Sequence, residues 1–351
     1  MGEMARSSGH PFPAPARATM RDVAARAGVS LKTVSRVVNR EPGVSPQLAT
    51  RVTAAVAELG YRHHLGASHL RRGHRRTASI GVLVQDLGNG FCAEVLRAIE
   101  DRARASGVVV MASSIEEDPE LEREMVDEWV ARRIDGLILM PASREQSYLD
   151  ADRSAGLAVV AVDRRPLSTV LDAVVADNQG GAAEAVGHLL RHGHQRIAFL
   201  GDSVDISTSV ERRDGYRMAL RASGTPAAPD LEKVDLRTQE QAARAVHELL
   251  ALPCPPTALF AARNVICTGA VLALQQAGRS HEVALIGFDE VAVGELVEPR
   301  VTVVRQDTHA IGTRAMDRLL ARLDGDDSPA VTEVLPTSLV PRGSGEIRPP
   351  G

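Results

Sequence analysis

From residue 77 onward, short apolar runs alternate with amphipathic stretches, and this rhythm restricts the fold more than any other feature of the sequence. The runs include SIGVLV at 79–84, GLILM at 136–140 and VALIGF at 283–288. Continuous apolar runs of this length are typical of strands that are buried on both faces of a parallel sheet. With helices predicted between them, the pattern favours a doubly wound α/β fold.

The predicted strands are too many for one simple sheet. We therefore expect two doubly wound subdomains with a ligand between them, because ligands of open α/β sheets bind outside the carboxyl ends of the strands. The length of 351 residues fits a small module joined to such a two-part core.

Motifs that would indicate catalysis are missing from this sequence. It has no GxGxxG turn, no GxxxxGK loop, no GxSxG elbow and no HExxH helix. Dehydrogenases, nucleotide hydrolases, serine hydrolases and zinc proteases depend on those motifs. We therefore expect no enzymatic activity and no cofactor.

Charge divides the chain into a basic head and an acidic body. Residues 1–76 contain thirteen Arg and Lys against four Asp and Glu, whereas the remainder contains 28 basic and 41 acidic residues. A polyanion partner is therefore predicted for the head alone.

Cys92, Cys254 and Cys267 are odd in number and lack metal-ligand spacing, so buried free thiols are expected in place of a disulfide framework or a zinc site. Residues 1–18 lack the apolar segment of a signal peptide, and no run is long enough to span a membrane. The sequence therefore predicts a cytoplasmic protein.

The segment 19–60 carries the start signals of three short helices. TMRD at 19–22 is an acidic variant of a capping box, and Ser30 is placed to cap a second helix. The Ser-Pro pair at 45–46 announces a third helix, since proline is favoured at the first helical position. The sequence therefore predicts a three-helix headpiece that contains a helix-turn-helix.

The second helix is amphipathic, with Val34, Val37 and Val38 at the spacing of a buried stripe and a polar, cationic start. A recognition helix places such residues on base edges in the major groove of DNA, although a solvated helix has the same pattern. The whole segment TMRDVAARAGVSLKTVSRVVNREPGVSPQLATRVTAAVAELGY resembles, without gaps, the DNA-binding domain of the lac repressor (LacI/GalR) family.

This resemblance implies which residues of the headpiece, residues 19–62, contact DNA. The residues that match base-reading positions are Leu31, Lys32 and Arg36. The residues that match phosphate-contacting positions are Thr33, Ser35 and Asn39. The predicted DNA-binding set also includes Thr19, Ser30 and Tyr61.

Residues 63–77 correspond to the hinge helix of that family, which inserts an apolar side chain into the minor groove. Leu70 matches the inserted leucine, and Ala67 matches its small neighbour. Such insertion unstacks a base step at a cost of roughly a few kcal/mol, which added contacts offset. His63 and His64 depart from the family's usual residues, so a solvated basic linker is the alternative interpretation.

The resemblance extends more loosely to the rest of the chain, for example in GHQRIAFLGD at 193–202 and VALIGFDE at 283–290. It implies a core over residues 78–342 with the periplasmic sugar-binding fold, and three connections that form a hinge. The implied first lobe is about 78–175 and 305–327. The implied second lobe is about 176–304 and 328–342, with tails at 1–18 and 343–351.

The resemblance also implies an effector site at the strand ends. Arg212 matches an arginine that clamps a ligand hydroxyl or carboxylate through paired donors. The whole predicted set is Asp86, Phe91, Asp163, Arg212, Asn264 and Asp289. A loop charge or a helix cap is the alternative for each polar residue, and Arg263 with Asn264 departs from the usual Asn and Asp.

These observations together predict a sequence-specific transcriptional regulator, and more specifically a repressor. A homodimer would bind near-palindromic operator DNA, in the cytoplasm and associated with the nucleoid. A carbohydrate effector between the lobes would change operator affinity, with a coupling of typically about 1 to 3 kcal/mol. A periplasmic solute-binding protein is the alternative class, but it would lack the basic headpiece. The sequence does not decide between repression and activation or between dimer and tetramer.

Overall fold

The computed structural model describes residues 18–39, 41–61, 77–226, 228–292 and 294–350. The chain divides into two compact units. The first, Met1–Arg75, contains the headpiece, and the second, Arg76–Gly351, is called the core. Within the described ranges, no helix combines the length and the apolar character needed to cross a membrane.

The headpiece contains three short helices, α1 (Met20–Ala27), α2 (Leu31–Val38) and α3 (Pro46–Glu58). The predicted capping signals are all in use. Thr19 and Asp22 form a reciprocal capping box, and Ser30 and Ser45 each accept a hydrogen bond from a backbone N–H three residues later. Gly28 ends α1 with φ of 62°, a left-handed conformation that glycine adopts without strain.

The three helices enclose a small apolar core made of Val23, Ala27, Val34, Val52, Ala55 and Tyr61. Val34 is fully buried, whereas Val37 and Val38 of the same predicted stripe are partly buried. Val34 therefore anchors α2 while the start of that helix stays on the surface.

The core is built on two six-stranded sheets. The first contains β1 (Ser79–Val84), β2 (Val109–Ser114), β3 (Gly136–Leu139), β4 (Ala158–Val162), β5 (Asp172–Ala176) and β11 (Thr332–Leu335). The second contains β6 (Ile197–Leu200), β7 (Glu232–Lys233), β8 (Ala258–Ala261), β9 (Ala284–Phe288), β10 (Thr302–Gln306) and β12 (Thr337–Val340). The spatial orders are β2-β1-β3-β4-β5-β11 and β7-β6-β8-β9-β10-β12.

The two sheets therefore have equivalent strand orders. Every neighbouring pair is parallel except β10 and β12, which are antiparallel. The predicted α/β core of two doubly wound subdomains is confirmed.

Each sheet and its helices form one lobe. The helices of the first lobe are α4 (Gly90–Ala105), α5 (Pro119–Ala131), α6 (Asp150–Ser154) and α11 (Thr308–Leu323). Those of the second lobe are α7 (Asn178–Arg191), α8 (Ser207–Ala222), α9 (Gln239–Leu250) and α10 (Asn264–Gln276). Along β1, Ile80 and Val82 pack into one apolar cluster while Leu83 packs with Trp129 into another. This strand is buried on both faces, as its continuous apolar run predicted.

The chain crosses between the lobes after β5, after β10 and between β11 and β12. This corrects the predicted boundaries, which placed 305–306 in the first lobe and 328–335 in the second. The strand β11 extends the first sheet because it pairs in parallel with β5, with Thr332 opposite Ala173. The Asp172 carboxylate holds the start of this strand by accepting a hydrogen bond from Val331 N at 2.9 Å.

The C-terminal segment 343–350 packs on the second lobe, where the sequence predicted a tail. Ser344 is buried, and its hydroxyl donates to Leu285 O at 2.5 Å while accepting from Thr302 N at 2.9 Å. The Glu346 carboxylate lies 2.6 Å from Nε2 of His188 in α7. This segment therefore provides hydrogen-bond partners for backbone groups of β9 and β10.

Candidate functional site

The recognition helix α2 presents most of the predicted DNA-binding residues on the headpiece surface. Leu31 and Lys32 are exposed, and the partly exposed residues are Thr33, Ser35, Arg36 and Asn39. Ser30 Oγ accepts from Thr33 N at 3.2 Å, so the cap holds the first turn in place. The exposed start of α2 can therefore reach a groove without disturbing the buried Val34.

Three predicted DNA-binding residues have local structural roles in the headpiece. Thr19 and Ser30 are helix caps, whose hydroxyls serve the backbone of α1 and α2. Tyr61 is a core residue with 8% of its surface exposed, so packing accounts for its position. Ala67 and Leu70, the predicted minor-groove residues, lie outside the described residues.

A cavity that is partly open to solvent lies between the two lobes of the core, and we call it the central cavity. Its lining comprises Gln85, Asn89, Phe91, Cys92, Met140, Asp163, Arg164, Asp202, Thr208, Ser209, Arg212, Ala262, Arg263, Asn264 and Asp289. The predicted effector residues are therefore brought together here, with the exception of Asp86. The Asp86 side chain lines a neighbouring space, and its Oδ1 accepts from Gly88 N at 2.7 Å.

Asp163 and Asp289 occupy equivalent positions in the two lobes. Each follows a strand, β4 or β9, and has a left-handed backbone, with φ of 67° and 71°. Aspartate tolerates this conformation better than most residues. Both carboxyl groups line the cavity from opposite sides, and burial raises the pKa of each, against the opposing effect of nearby arginines.

The guanidinium of Arg212 is fixed on four sides at the cavity wall. Its Nε donates to Asn178 Oδ1 and its Nη1 to Ala262 O, both at 2.8 Å. It lies over the ring of Phe288, 3.7 Å from the centroid, and Nη1 is 3.7 Å from Asp289 Oδ2. Burial lowers the pKa of Arg212, but the carboxylates beside it favour its charged form. The group is therefore preorganised before a ligand arrives.

Four charged groups form a chain that joins the lobes at one side of the cavity. The Glu117 carboxylate of the first lobe accepts two hydrogen bonds from Arg164, at 2.6 and 2.8 Å. It also accepts one from Arg263 Nη2 of the second lobe at 3.5 Å, and Arg263 in turn pairs with Asp202. Although burial opposes ionisation, the hydrogen bonds from Arg164 hold the pKa of Glu117 below its usual range.

Two buried acceptors at the cavity differ in how they are partnered. The Asp163 carboxylate has Arg164 beside it, with Nε at 3.6 Å from Oδ2. Gln85 Oε1 is buried without a partner among the described residues, while its Nε2 donates to Met140 O at 2.7 Å. A buried acceptor without a donor costs about 1 to 3 kcal/mol, so a ligand that brings hydroxyl or N–H donors would relieve this cost.

Sequence reasoning missed Glu117, Arg164, Asp202 and Asn89 as site residues. Arg164 and Asp202 each carried a usable signal, because each lies two residues after the end of a buried strand, β4 or β6. Glu117 carried no such signal, since it lies in a loop where both it and Glu116 have positive φ.

The comparisons with known proteins agree with this architecture. The family model described as "Bacterial regulatory proteins, lacI family" matches residues 19–63, and the "Periplasmic binding protein-like domain" matches residues 186–345. The HTH-type transcriptional repressor CytR of Escherichia coli (strain K12) is 30% identical over 335 residues, which cover 95% of this chain and 97% of that protein.

Solved structures give the same result. The lac repressor dimer bound to operator and the anti-inducer ONPF has a TM-score of 0.81 and 26% identity, covering 93% of this chain and 99% of that one. The transcriptional regulator CelR in complex with cellobiose has a TM-score of 0.71 and 29% identity, covering 93% and 100%. The similarity therefore spans both the headpiece and the core.

Proposed function

Because this chain belongs to the LacI family of bacterial regulatory proteins, we propose that it is a transcriptional repressor whose operator affinity is set by a carbohydrate effector. The observation that carries this proposal is the joint presence of an exposed recognition helix and a polar cavity between two lobes. The basic charge of residues 1–76 suits a DNA backbone, whereas the acidic core does not.

The proposed DNA surface is the exposed side of α2. Lys32 and Arg36 supply the charge, and Leu31 supplies an apolar contact at the start of the helix. Two copies of the headpiece in a homodimer would occupy the two halves of a near-palindromic operator. We further propose that Leu70, with Ala67 beside it, enters the minor groove between them.

The proposed effector site is the central cavity. Acidic side chains at Asp163 and Asp289 suit sugar hydroxyls, and Arg212 offers a fixed guanidinium between them. CytR is named as a repressor and the CelR structure contains cellobiose, which supports a repressor with a sugar effector. Closure of the lobes on the effector would alter the paired headpieces through the segment 63–77.

Footprinting of the full-length protein on its own promoter region tests this function. We expect a protected palindrome that one compound from a panel of sugars and nucleosides releases or tightens. Lys32→Ala and Arg36→Ala should each lower specific affinity by about 1 to 3 kcal/mol, whereas Arg26→Ala, which breaks an exposed pair with Glu58, should not. Weak, sequence-independent binding that salt abolishes would contradict the proposal.

A separate variant tests the minor-groove contact. Leu70→Ala should weaken operator binding while leaving the major-groove footprint in register, because the lost wedge removes bending contacts only. Unchanged affinity would show that residues 63–77 act as a basic linker.

A further inference from the structure

The central cavity shares lining residues with two larger neighbouring spaces, and the lining of these two spaces points to the class of effector. The first opening shares Gln85, Asp202 and Arg263 with the central cavity. The second opening shares Phe91 and Asp289 with it. A ligand that enters through either space passes the side chains that line it.

Carboxylates outnumber arginines in the first opening. The arginines there are Arg237 and Arg263, against the carboxylates of Asp86, Glu116, Glu117, Asp202 and Asp205. In the central cavity itself the two signs are balanced, because Arg164, Arg212 and Arg263 face Asp163, Asp202 and Asp289. Arg164 also pairs with Glu117, and an excess of two carboxylates remains in the first opening after this pairing is counted.

The second opening also has more carboxylates than arginines in its lining. Arg305 is its one arginine in the described lining, against the carboxylates of Glu94, Asp289, Glu290 and Glu295. Arg342 lies behind this wall and pairs with Glu290 at 2.8 Å on both nitrogens, which offsets one of these charges. Arg212 of the central cavity lies 3.7 Å from Asp289 and offsets a second. Together with Arg305, these pairings leave an excess of one carboxylate in the second opening.

An independent observation is that each opening is lined by a glutamine whose side-chain oxygen has no hydrogen-bond partner among the described residues. Gln306, which is 5% exposed and lines the second opening, has a buried Oε1 without a partner, while its Nε2 donates to Asp289 at 2.7 Å. Gln85, 3% exposed and shared by the first opening and the central cavity, has the same unpartnered Oε1. Each of these amide oxygens could therefore accept a hydrogen bond that the described part of the chain does not provide.

We propose that the two openings select against anions, so that the effector is a neutral or cationic molecule rich in hydrogen-bond donors. This inference rests on the proposed effector site and narrows it: unphosphorylated sugars and amino sugars fit, whereas sugar phosphates and sugar acids do not. Clefts lined by one sign of charge raise the local concentration of opposite charge and change encounter rates by about 10-fold to 1,000-fold.

Thiol modification by charged reagents tests the openings without DNA and without an effector. Cys254 is exposed and is replaced by Ser, and Cys92, which lines the central cavity, is replaced by Ala; Cys267 is buried and lines none of the three spaces. Reporter cysteines are then introduced one at a time as Pro119→Cys in the first opening and Leu296→Cys in the second; both positions are exposed. Each is reacted with a cationic and an anionic methanethiosulfonate of similar size.

For each reporter cysteine, the modification rate by the cationic reagent is divided by the rate by the anionic reagent. The same ratio measured for N-acetylcysteine amide, a free thiol in solution, is the reference. We expect both ratios to exceed this reference by about tenfold at 0.01 M salt and to fall at 0.1 M, where the Debye length shortens from about 30 to about 10 Å. The double substitution Glu94→Gln and Glu295→Gln removes two carboxylates of the second opening, so it should lower the rate ratio at the Leu296→Cys reporter. The control Glu248→Gln, an exposed residue of α9 outside both linings, should not.

Rate ratios equal to the reference would overturn the inference. It would also be overturned if the substitutions at Glu94 and Glu295 left the rate ratio at the Leu296→Cys reporter unchanged. A sugar phosphate that proved to be the effector in the operator assay would also overturn it, and the proposed function would stand. Conversely, loss of specific operator binding would overturn the proposed function without altering the thiol ratios.

Discussion

The side-chain amides of Asn89 and Asn264 exchange two hydrogen bonds across the cleft, at 3.1 and 3.0 Å. Asn89 caps α4 of the first lobe, and Asn264 begins α10 of the second. Each Oδ1 also accepts a backbone N–H, from Phe91 at 3.0 Å and from Val265 at 2.8 Å. The start of one helix is thereby joined to the start of another in the opposite lobe.

We expect the double variant Asn89→Asp with Asn264→Asp to open the cleft. Aspartate keeps each capping acceptor, but both amide donors are lost and two carboxylates then face each other. The radius of gyration by small-angle scattering should increase, and amide exchange around residues 262–265 should accelerate. The single variants are matched controls, because the remaining amide can still donate to the new carboxylate. Unchanged scattering in the double variant would contradict this expectation.

Arg212→Lys should weaken the effector response by about tenfold or more. The charge is kept, but a lysine cannot hold the fixed donor directions that Asn178 and Ala262 now impose on the guanidinium. Hydrogen bonds to charged groups contribute about 1.5 to 3 kcal/mol, which sets this magnitude. Operator affinity is measured by anisotropy with increasing effector. Arg213→Lys is the control, since Arg213 lines none of the three spaces, and an equal loss there would contradict the assignment.

Asp172→Asn should lower the free energy of unfolding by about 3 kcal/mol, the usual cost of breaking a buried ion pair. Asp172 is 3% exposed and accepts from Arg322 Nε at 2.6 Å, with Arg318 Nε at 3.0 Å. Asp101→Asn is the control, because Asp101 also has two arginine partners but lies on the surface, where such pairs contribute about 1 kcal/mol or less. Urea titration of both variants measures the difference.

The Asp172 carboxylate should also make the free energy of unfolding depend on pH. Burial opposes ionisation of Asp172, but the hydrogen bonds from Arg322, Val331 and Arg318 outweigh it and lower its pKa below the ordinary value. A lowered folded-state pKa means that the stabilisation is complete above the unfolded value, about 3.9, and is lost as the pH falls through the folded one. At acid pH, the free energy of unfolding should therefore decrease less steeply with falling pH in Asp172→Asn than in the parent protein. Equal slopes in the two proteins would contradict this expectation.

Gly215→Ala should destabilise the core by about 1 to 3 kcal/mol, the usual cost of overpacking. A Cβ at this position would lie 2.9 Å from Ala182 Cβ and would press on the backbone oxygen of Gln179, both in the neighbouring helix α7. Gly90→Ala is the control, because nothing lies within 4 Å of a Cβ there. Thermal unfolding of the two variants distinguishes a packing effect from a general effect of losing glycine.

The headpiece could be predicted from the sequence because its signals are local. The capping contacts of Thr19 and Ser30 join residues three apart, and the apolar position Val34 follows from helical spacing alone. The burial of Tyr61 could not be predicted in this way, because this residue lies beyond α3 and packs in the common core of the three helices. Short-range chemistry therefore predicts the helices, but not the burial of a residue beyond their ends.

The central cavity was predictable where a residue directly follows a buried strand, as Asp163 and Asp289 do. The pairing of Glu117 with Arg164 spans 47 residues, so neither residue type nor spacing indicates it. The assignment of β11 to the first sheet failed for the same reason. That strand is identified by its partner β5, which lies far away in sequence.

The three crossings between the lobes have a consequence for how such a protein can diverge. Because β11 and β12 are separated by a single residue yet complete different sheets, neither lobe is encoded by one continuous stretch of gene. If recombination joined two parental genes inside the core before β11, both β11 and β12 would come from the second gene. Each sheet would then have an edge strand from a different parental protein. New effector preferences are therefore expected to arise by substitution within the cleft or by exchange of the whole core, with the junction at residues 62–76.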